Sequence, residues 1–280
     1  MSRTVSVSKG TPYGVERVCD VWEQARSTFY DRQERAEKLA QGIRPGKRGP
    51  KPAVPDEELL VLIRSDLAAS PFRGEGHRKV WGRLHFGQGL PVSRKRVLRL
   101  MRENRLLSPY RGRQGAPLAH EGTITTEAPN VMWGTDATKV FTLDDGWVWV
   151  FSAVEHWNAE CVGWHVTKLG NRFAALEPIS QGLTSLYGSV TADVARGLLL
   201  RMDHGSQYLS DHFVNQVRFW GIKPSFAFVE QPQTNGVAER FNRTLKEQAI
   251  YGAVFRNIEE VRLAVGKFVK NYNAEWRVEK

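Results

Sequence analysis

The order in which extended and helical segments alternate after residue 130 leaves few folds open to this chain. Residues 131–141 (VMWGTDATKVF) read as a first strand, rich in β-branched and aromatic residues. The Asp144-Asp145-Gly146 turn signals a hairpin into a second strand, WVWVFSAV, and a third follows at CVGWHVT. A helix around Phe173–Tyr187 comes next, then a short apolar strand, LLLRM, that runs into Asp203. A helix from Ser210 to Trp220 leads to a fifth strand, PSFAFV, and the polar loop EQPQTNG opens a long helix carrying Glu239. Ile258, Val261, Val265, Phe268 and Tyr272 make a last amphipathic helix over 257–273. Three turn-linked strands must pair antiparallel, whereas strands joined through helices can run parallel. The expectation is an α/β domain on a mixed five-stranded sheet.

The first 127 residues read as helical. Val15, Val18, Cys19, Trp22 and Ala25 recur at helical spacing, with Phe29 and Tyr30 one turn on. Residues 41–55 (QGIRPGKRGPKPAVP) have the composition of a basic linker. Asp56 and Glu57 open a second helix with Leu59, Leu60, Leu62, Ile63 and Leu67, acidic where the helix dipole favours it. A helix from His77 to Phe86, the turn GQGLP, and a helix N-capped by Ser93 and running to about Leu107 then form a helix-turn-helix pattern. Arg94, Lys95, Arg96, Arg99 and Arg102 decorate its second helix, the one that meets DNA in such motifs; a helical hairpin with a solvated basic face is the alternative. The expected division is a helix-turn-helix-like segment at 1–40, a linker at 41–55, a DNA-binding helix-turn-helix region at 56–112, a linker at 113–127 and an α/β core at 128–280.

Charge follows the same division. Residues 1–127 hold 24 Lys and Arg against 14 Asp and Glu, while residues 128–280 hold 16 against 16. All of the net +10 therefore lies in the first part, which suits a polyanion-binding region or a solubilising basic surface joined to a neutral domain. No apolar run approaches the roughly 18 residues a membrane helix needs. The two cysteines, Cys19 and Cys161, are far apart and fit a reducing cytosol better than a disulfide framework. His156, Cys161 and His165 lack the paired spacing of a zinc site, and no GxxxxGK[ST] loop is present for nucleotide phosphates.

The acids carry the chemistry. Asp136 falls mid-strand, Asp203 closes the fourth strand before a glycine turn, and Glu239 lies in the first turn of a helix. Strand ends and helix starts can meet at one edge of an α/β sheet. Carboxylates converging there can hold two divalent ions about 3.5–4 Å apart for phosphodiester cleavage. Thirty-five residues separate Asp203 from Glu239, that is, 35. Glu239, Arg243 and Lys246 share one helix face at i, i+4 and i+7, where the two cations can grip phosphates or simply support the helix.

The strings WGTDAT, VGW, MDHGSQY and QPQTNGVAERFNRTLKEQ resemble the core of bacterial insertion-sequence transposases of the OrfB type, akin to retroviral integrases. ARSTFYDR and GHRKVWGRL resemble the upstream DNA-binding part of the same proteins. The resemblance implies a ribonuclease-H-like integrase core preceded by an all-α helix-turn-helix region, with Asp136, Asp203 and Glu239 as both the catalytic residues and the metal ligands. It implies two Mg²⁺ (or Mn²⁺) ions, cleavage at the element ends, and strand transfer by a freed 3′-OH. The implied partners are the element's terminal repeats and target DNA, further copies of the chain, and the product of an upstream helix-turn-helix reading frame. The implied location is the bacterial cytoplasm, at the nucleoid. DNA contacts are expected from Arg94, Lys95, Arg96, Arg99, Arg243 and Lys246.

The pattern departs from the family in two places. Glu155 stands at the end of the second strand where the family has Asp, and NYNAEWRVEK stops short of the family's Pro-containing tail. The second departure keeps one alternative: a truncated, catalytically inactive DNA-binding regulator of transposition.

Overall fold

The computed structural model describes residues 3–43, 53–108, 126–226 and 236–276. Most of both linkers, the end of the PSFAFV string, and the EQPQTNG loop up to Asn235 lie outside the described residues. The chain divides into two compact units, Met1–Pro55 and Asp56–Lys280.

In the first unit the helical spacing read from Val15 through Ala25 is interrupted, giving α1 (Val15–Val21) and α2 (Arg26–Ala40). The break has a local cause. Glu23 takes a left-handed conformation at φ 50, its N–H returns to the Asp20 carbonyl and the Gln24 N–H to that of Cys19. That pair of bonds is a Schellman stop, which usually uses glycine at the left-handed position. Cys19 is buried, α2 buries no residue, and Tyr30 and Leu39 stay exposed.

The second unit opens with three helices: α3 (Asp56–Ala69), α4 (His77–Gly82, extended by a π-helical turn over Arg83–Gly87) and α5 (Arg94–Glu103). Ser93 caps α5 as expected, its hydroxyl accepting from the Arg96 N–H. The helix ends at Glu103 rather than near Leu107. Arg105 is left-handed at φ 56, and the Arg105 and Leu106 N–H groups turn back to the Arg102 and Met101 carbonyls, another Schellman stop without glycine. Leu59, Ile63, Val80, Leu84, Val97 and Met101, none of them exposed, fill the space between the three helices.

The sheet has the order β3-β2-β1-β4-β5, with β1 (Met132–Thr142), β2 (Gly146–Glu155), β3 (Cys161–Thr167), β4 (Leu199–Met202) and β5 (Lys223–Phe226). The first three are antiparallel; β1, β4 and β5 run parallel. Gly146, at φ 68, closes the expected β1–β2 hairpin. Because side chains alternate across a strand, the sheet has two apolar faces. On one, Trp133, Phe151, Leu200 and Met202 pack against α6 (Arg172–Tyr187) and α8 (Asp211–Phe219), with the short α7 (Ser206–Leu209) beside them. On the other, Val140, Val148, Val150 and Val154 pack against α9 (Gly236–Leu245, extended by a π-helical turn over Lys246–Ile250) and α10 (Ile258–Glu275). Gly163 of β3 lets α6 approach closely: a Cβ there would fall 1.9 Å from the Pro178 carbonyl oxygen.

The three-helix region is tied to the second face. Phe72, in the α3–α4 loop, joins that core and meets Trp276 edge to face at 4.8 Å. Beside it, Arg73 and Gln248 exchange two hydrogen bonds, one through the Arg73 N–H at 2.8 Å and one through its carbonyl at 2.9 Å. The α3–α4 loop thus grips the turn that continues the helix carrying Glu239.

Glu155 fits its unusual place at the end of β2. It is 2% exposed, and its carboxylate accepts from the Asn130 and Asn158 N–H groups, stapling the segment before β1 to the turn after β2 at one end of the strand pair. Among the described residues no helix is long and apolar enough to cross a membrane.

Candidate active site

Register brings the first two acids together. β1 and β4 are parallel neighbours with Gly134 opposite Arg201, so Asp136 and Asp203 each follow two residues later, Asp136 midway along β1 and Asp203 just past the carboxyl end of β4. That end is where parallel α/β sheets place their sites. The third acid, Glu239, lies in the first turn of α9, where a negative charge suits the helix dipole.

The three carboxylates feel one another. Burial raises the Asp136 pKa above its ordinary value and the charge of Asp203 adds to the rise, against the Ala137 N–H, the Asn242 amide and Lys246. Burial likewise raises Glu239, with Asp136 and Asp203 pushing the same way and Arg243 opposing. Like charges drawn to one edge are costly unless a cation joins them. Among the described residues no group of three or more His, Cys, Asp and Glu side chains is closed up as a formed metal cluster. The donor set nonetheless fits a hard divalent ion: all three groups are carboxylates, and their mutual repulsion is what such an ion relieves.

The backbone around Asp203 is shaped for the site. The Gly205 N–H donates to Asp203 Oδ1 at 2.8 Å. Gly205 has an ordinary φ of −59, so space, not conformation, demands glycine. A Cβ there would lie 2.5 Å from Gln207 Nε2 and 3.0 Å from Asp203 Oδ1. Beneath the two aspartates, the fully buried Tyr208 hydroxyl lies near Thr135 and Gln207; burial raises its pKa, and Asp136 and Asp203 raise it further.

Sequence reasoning missed Asn242 and Ser152. Asn242 Nδ2 donates to Asp136 Oδ2 at 2.9 Å and its Oδ1 accepts from Ser152 Oγ at 3.2 Å. The signal was available: Asn242 is the i+3 member of the face that carries Glu239, Arg243 and Lys246. Arg243 and Lys246 do reach the site electrostatically, Arg243 through Glu239 and Lys246 through Asp136. Cys161 is sealed in the core, its thiol pushed up to about 12 by burial.

Residues 220–277 match the family described as integrase core domain, and residues 56–114 match the HTH-like domain family. Over 271 residues the chain is 27% identical to the transposase for insertion sequence element IS629 of Shigella sonnei, covering 93% of this chain and 86% of that protein. The chain is thus similar to insertion-sequence transposases over nearly its whole length, and it carries separate matches to an integrase core and an HTH-like domain. It is also 28% identical over 202 residues to transposase InsD of the IS2 element of Escherichia coli, spanning 70% of this chain and 65% of the length of that relative. A solved HTLV-2 integrase catalytic core domain in complex with magnesium aligns at 18% identity and a TM-score of 0.40, covering 55% of this chain and 91% of the other.

The HTH-like match covers α3 to α5, and the cations of α5 differ in exposure and in their ion pairs. Arg96 and Arg99 both close on Asp56, through Arg96 Nη2 at 2.6 Å and Arg99 Nη2 at 2.6 Å, and Arg99 also pairs with Glu103 at 3.0 Å. Those two fasten α5 to the start of α3. Arg94, Lys95 and Arg102 are exposed.

Proposed function

We propose that the chain is a DNA transposase that cleaves the ends of its insertion element and joins the freed 3′-OH to target DNA. The observation that carries the reading is the gathering of Asp136, Asp203 and Glu239, from the middle of β1, the end of the adjacent β4 and a helix start, into one electrostatically coupled group. Two Mg²⁺ or Mn²⁺ ions held by these carboxylates would supply the activation of the attacking oxygen and the stabilisation of the leaving oxygen. Arg243 and Lys246, on the same helix as Glu239, would hold backbone phosphates on either side of the scissile bond. Water and then a DNA 3′-OH serve as nucleophiles, so no covalent protein–DNA intermediate is required of a Ser or Tyr side chain.

The functional division that goes with this reading is 1–40, 41–55, 56–112, 113–127 and 128–280, with DNA binding upstream and chemistry in the last segment. Arg94 and Lys95 contact DNA, while Arg96 and Arg99, expected from the sequence to do so, act first through Asp56. The terminal repeats, target DNA, further copies of the chain and an upstream helix-turn-helix product are the partners, at the bacterial nucleoid.

The test is strand transfer on labelled DNA bearing the element's own ends, with Mg²⁺ or Mn²⁺, for the wild type beside Asp203→Asn. Joined products that need the metal and fall at least about a thousandfold in the variant support the transposase. DNA binding without products in either protein supports the regulator instead.

A further inference from the structure

The amide of Asn242 is clamped between the first carboxylate and a hydroxyl sealed inside the protein. Asn242 is 5% exposed and Ser152 is 0% exposed. Ser152 stands directly opposite Asp136 in the β1–β2 pair, and its Oγ, which donates to Asn242 Oδ1, also lies 3.4 Å from the Asp136 carbonyl oxygen. These partners settle which way the amide points. Turned over, it would set its oxygen against a carboxylate oxygen and lose the donor that Asp136 Oδ2 accepts. The flanking Phe241 and Leu245 are both buried and apolar, and a polar group in such surroundings costs free energy unless it is fully paired. Here each end of the amide has a partner, and one of them is a candidate metal ligand.

The carboxylate has its own reason to need the bond. Rotation about the last side-chain bond of an aspartate is soft, with broad wells. The Ala137 N–H holds Oδ1 at 2.7 Å and Asn242 holds Oδ2 at 2.9 Å. Each oxygen then keeps a lone pair, and the plane of the group is set. The same bond joins α9 to β1, one helical turn from Glu239, so it fixes the rotation of the helix that delivers the third acid.

We propose that Asn242 is a positioning residue for the cleavage reaction, locking the Asp136 carboxylate and the Glu239 helix into one arrangement, with Ser152 acting through it to orient the amide. The proposal rests on the transposase reading, because it takes Asp136 and Glu239 as metal ligands. Loss of a group that orients a metal ligand typically costs 10–100-fold in metal affinity, on the order of tenfold at least.

The test uses the full chain with Asn242→Ala and Ser152→Ala, each checked for folding by thermal denaturation. Mn²⁺ uptake is measured from the free-ion electron paramagnetic resonance signal, without DNA and without reference to activity. The metal concentration for half-maximal DNA cleavage is measured separately. Asn242→Ala is expected to weaken Mn²⁺ binding about tenfold and to raise the half-saturating metal by a similar factor. Excess metal should restore part of the rate. Ser152→Ala is expected to move both in the same direction by less. A folded Asn242→Ala protein with wild-type Mn²⁺ affinity overturns the proposal, as does an activity loss that excess metal leaves untouched. Should Asn242→Ala fail to fold, Ser152→Ala decides alone: weaker Mn²⁺ binding supports the proposal, and unchanged binding overturns it. A wild type that takes up Mn²⁺ but forms no DNA product removes the transposase reading, while the binding comparison still judges Asn242.

Discussion

Charge is handled in opposite ways in the three-helix region and at the edge of the sheet. Among α3 to α5, acids are matched with bases. Asp56 sits between Arg96 and Arg99, and these hold its carboxyl below the ordinary carboxylate range, Arg99 most strongly. Glu75, only 4% exposed, accepts from Arg83 at 2.7 Å and from the Ser70 hydroxyl at 2.7 Å, and Arg83 in turn grips both oxygens of Asp66. At the sheet edge, acids are matched with acids, and Asp136 and Glu239 are both raised. The difference separates two uses of the same chemistry: satisfied charge fixes a structure, whereas like charges held together mark a candidate functional site.

The contrast breaks or holds on stability first. Glu75→Ala leaves Arg83 with Asp66 as its carboxylate partner and should cost about 1–3 kcal/mol, visible as a clear fall in Tm. Asp203→Asn removes one of several facing like charges, so the metal-free protein should keep its Tm or gain slightly. A fall for Asp203→Asn as large as that for Glu75→Ala would erase the distinction between the two regions.

A smaller effect sharpens it within α5. Lys95→Ala should weaken binding to every DNA sequence about equally and lower the slope of log affinity against log salt by about one, with Tm unchanged. Arg99→Ala should instead cost at most about 1 kcal/mol of stability, because its partner Asp56 is partly exposed. Equal salt slopes for the two variants would mean that the Asp56 pairing does not withdraw Arg99 from DNA.

Much of the fold was legible because its signals are local and periodic. The CVGWHVT strand was read to its observed bounds, and the β1–β2 hairpin announced itself through Asp144-Asp145-Gly146. Helix ends show where legibility stops. α2 and α8 are closed by left-handed Gly42 and Gly221, where the sequence marks the stop. α1 and α5 are closed by the same geometry at Glu23 and Arg105, residues that give no sign of a left-handed turn, and both helices were read too long. At the site, the three acids that the structure brings near one another could be picked out as a mid-strand, a strand-end and a helix-start carboxylate. Asn242 could be picked from the helix face of Glu239, but its pairing with Ser152 could not, because that depends on the antiparallel register that sets Ser152 opposite Asp136. The pairing of Arg96 and Arg99 with Asp56 was not legible for a similar reason: their partner lies some forty residues away, a separation of 40 and 43.

The smallest effect tests a charge that the fold keeps neutral. His156 follows β2, its N–H donating to the Met132 carbonyl, and its ring is buried near Arg201. Burial first, and then the Arg201 charge, lower its pKa from 6.5 to about 4. The unfolded chain therefore takes up a proton at this residue near pH 6.5, while the folded chain resists until about pH 4. Stability from this group is whole above the unfolded value and is lost progressively as pH falls through that window. His156→Asn cannot titrate, so its urea midpoint should fall less than that of the wild type between pH 7 and pH 4.5, on the order of 1 kcal/mol less. The other histidines contribute equally to both proteins and cancel in the difference. Parallel curves would mean that the fold accepts a charged imidazole beside Arg201. In that case matched charge would no longer separate the structural parts of this unit from its site.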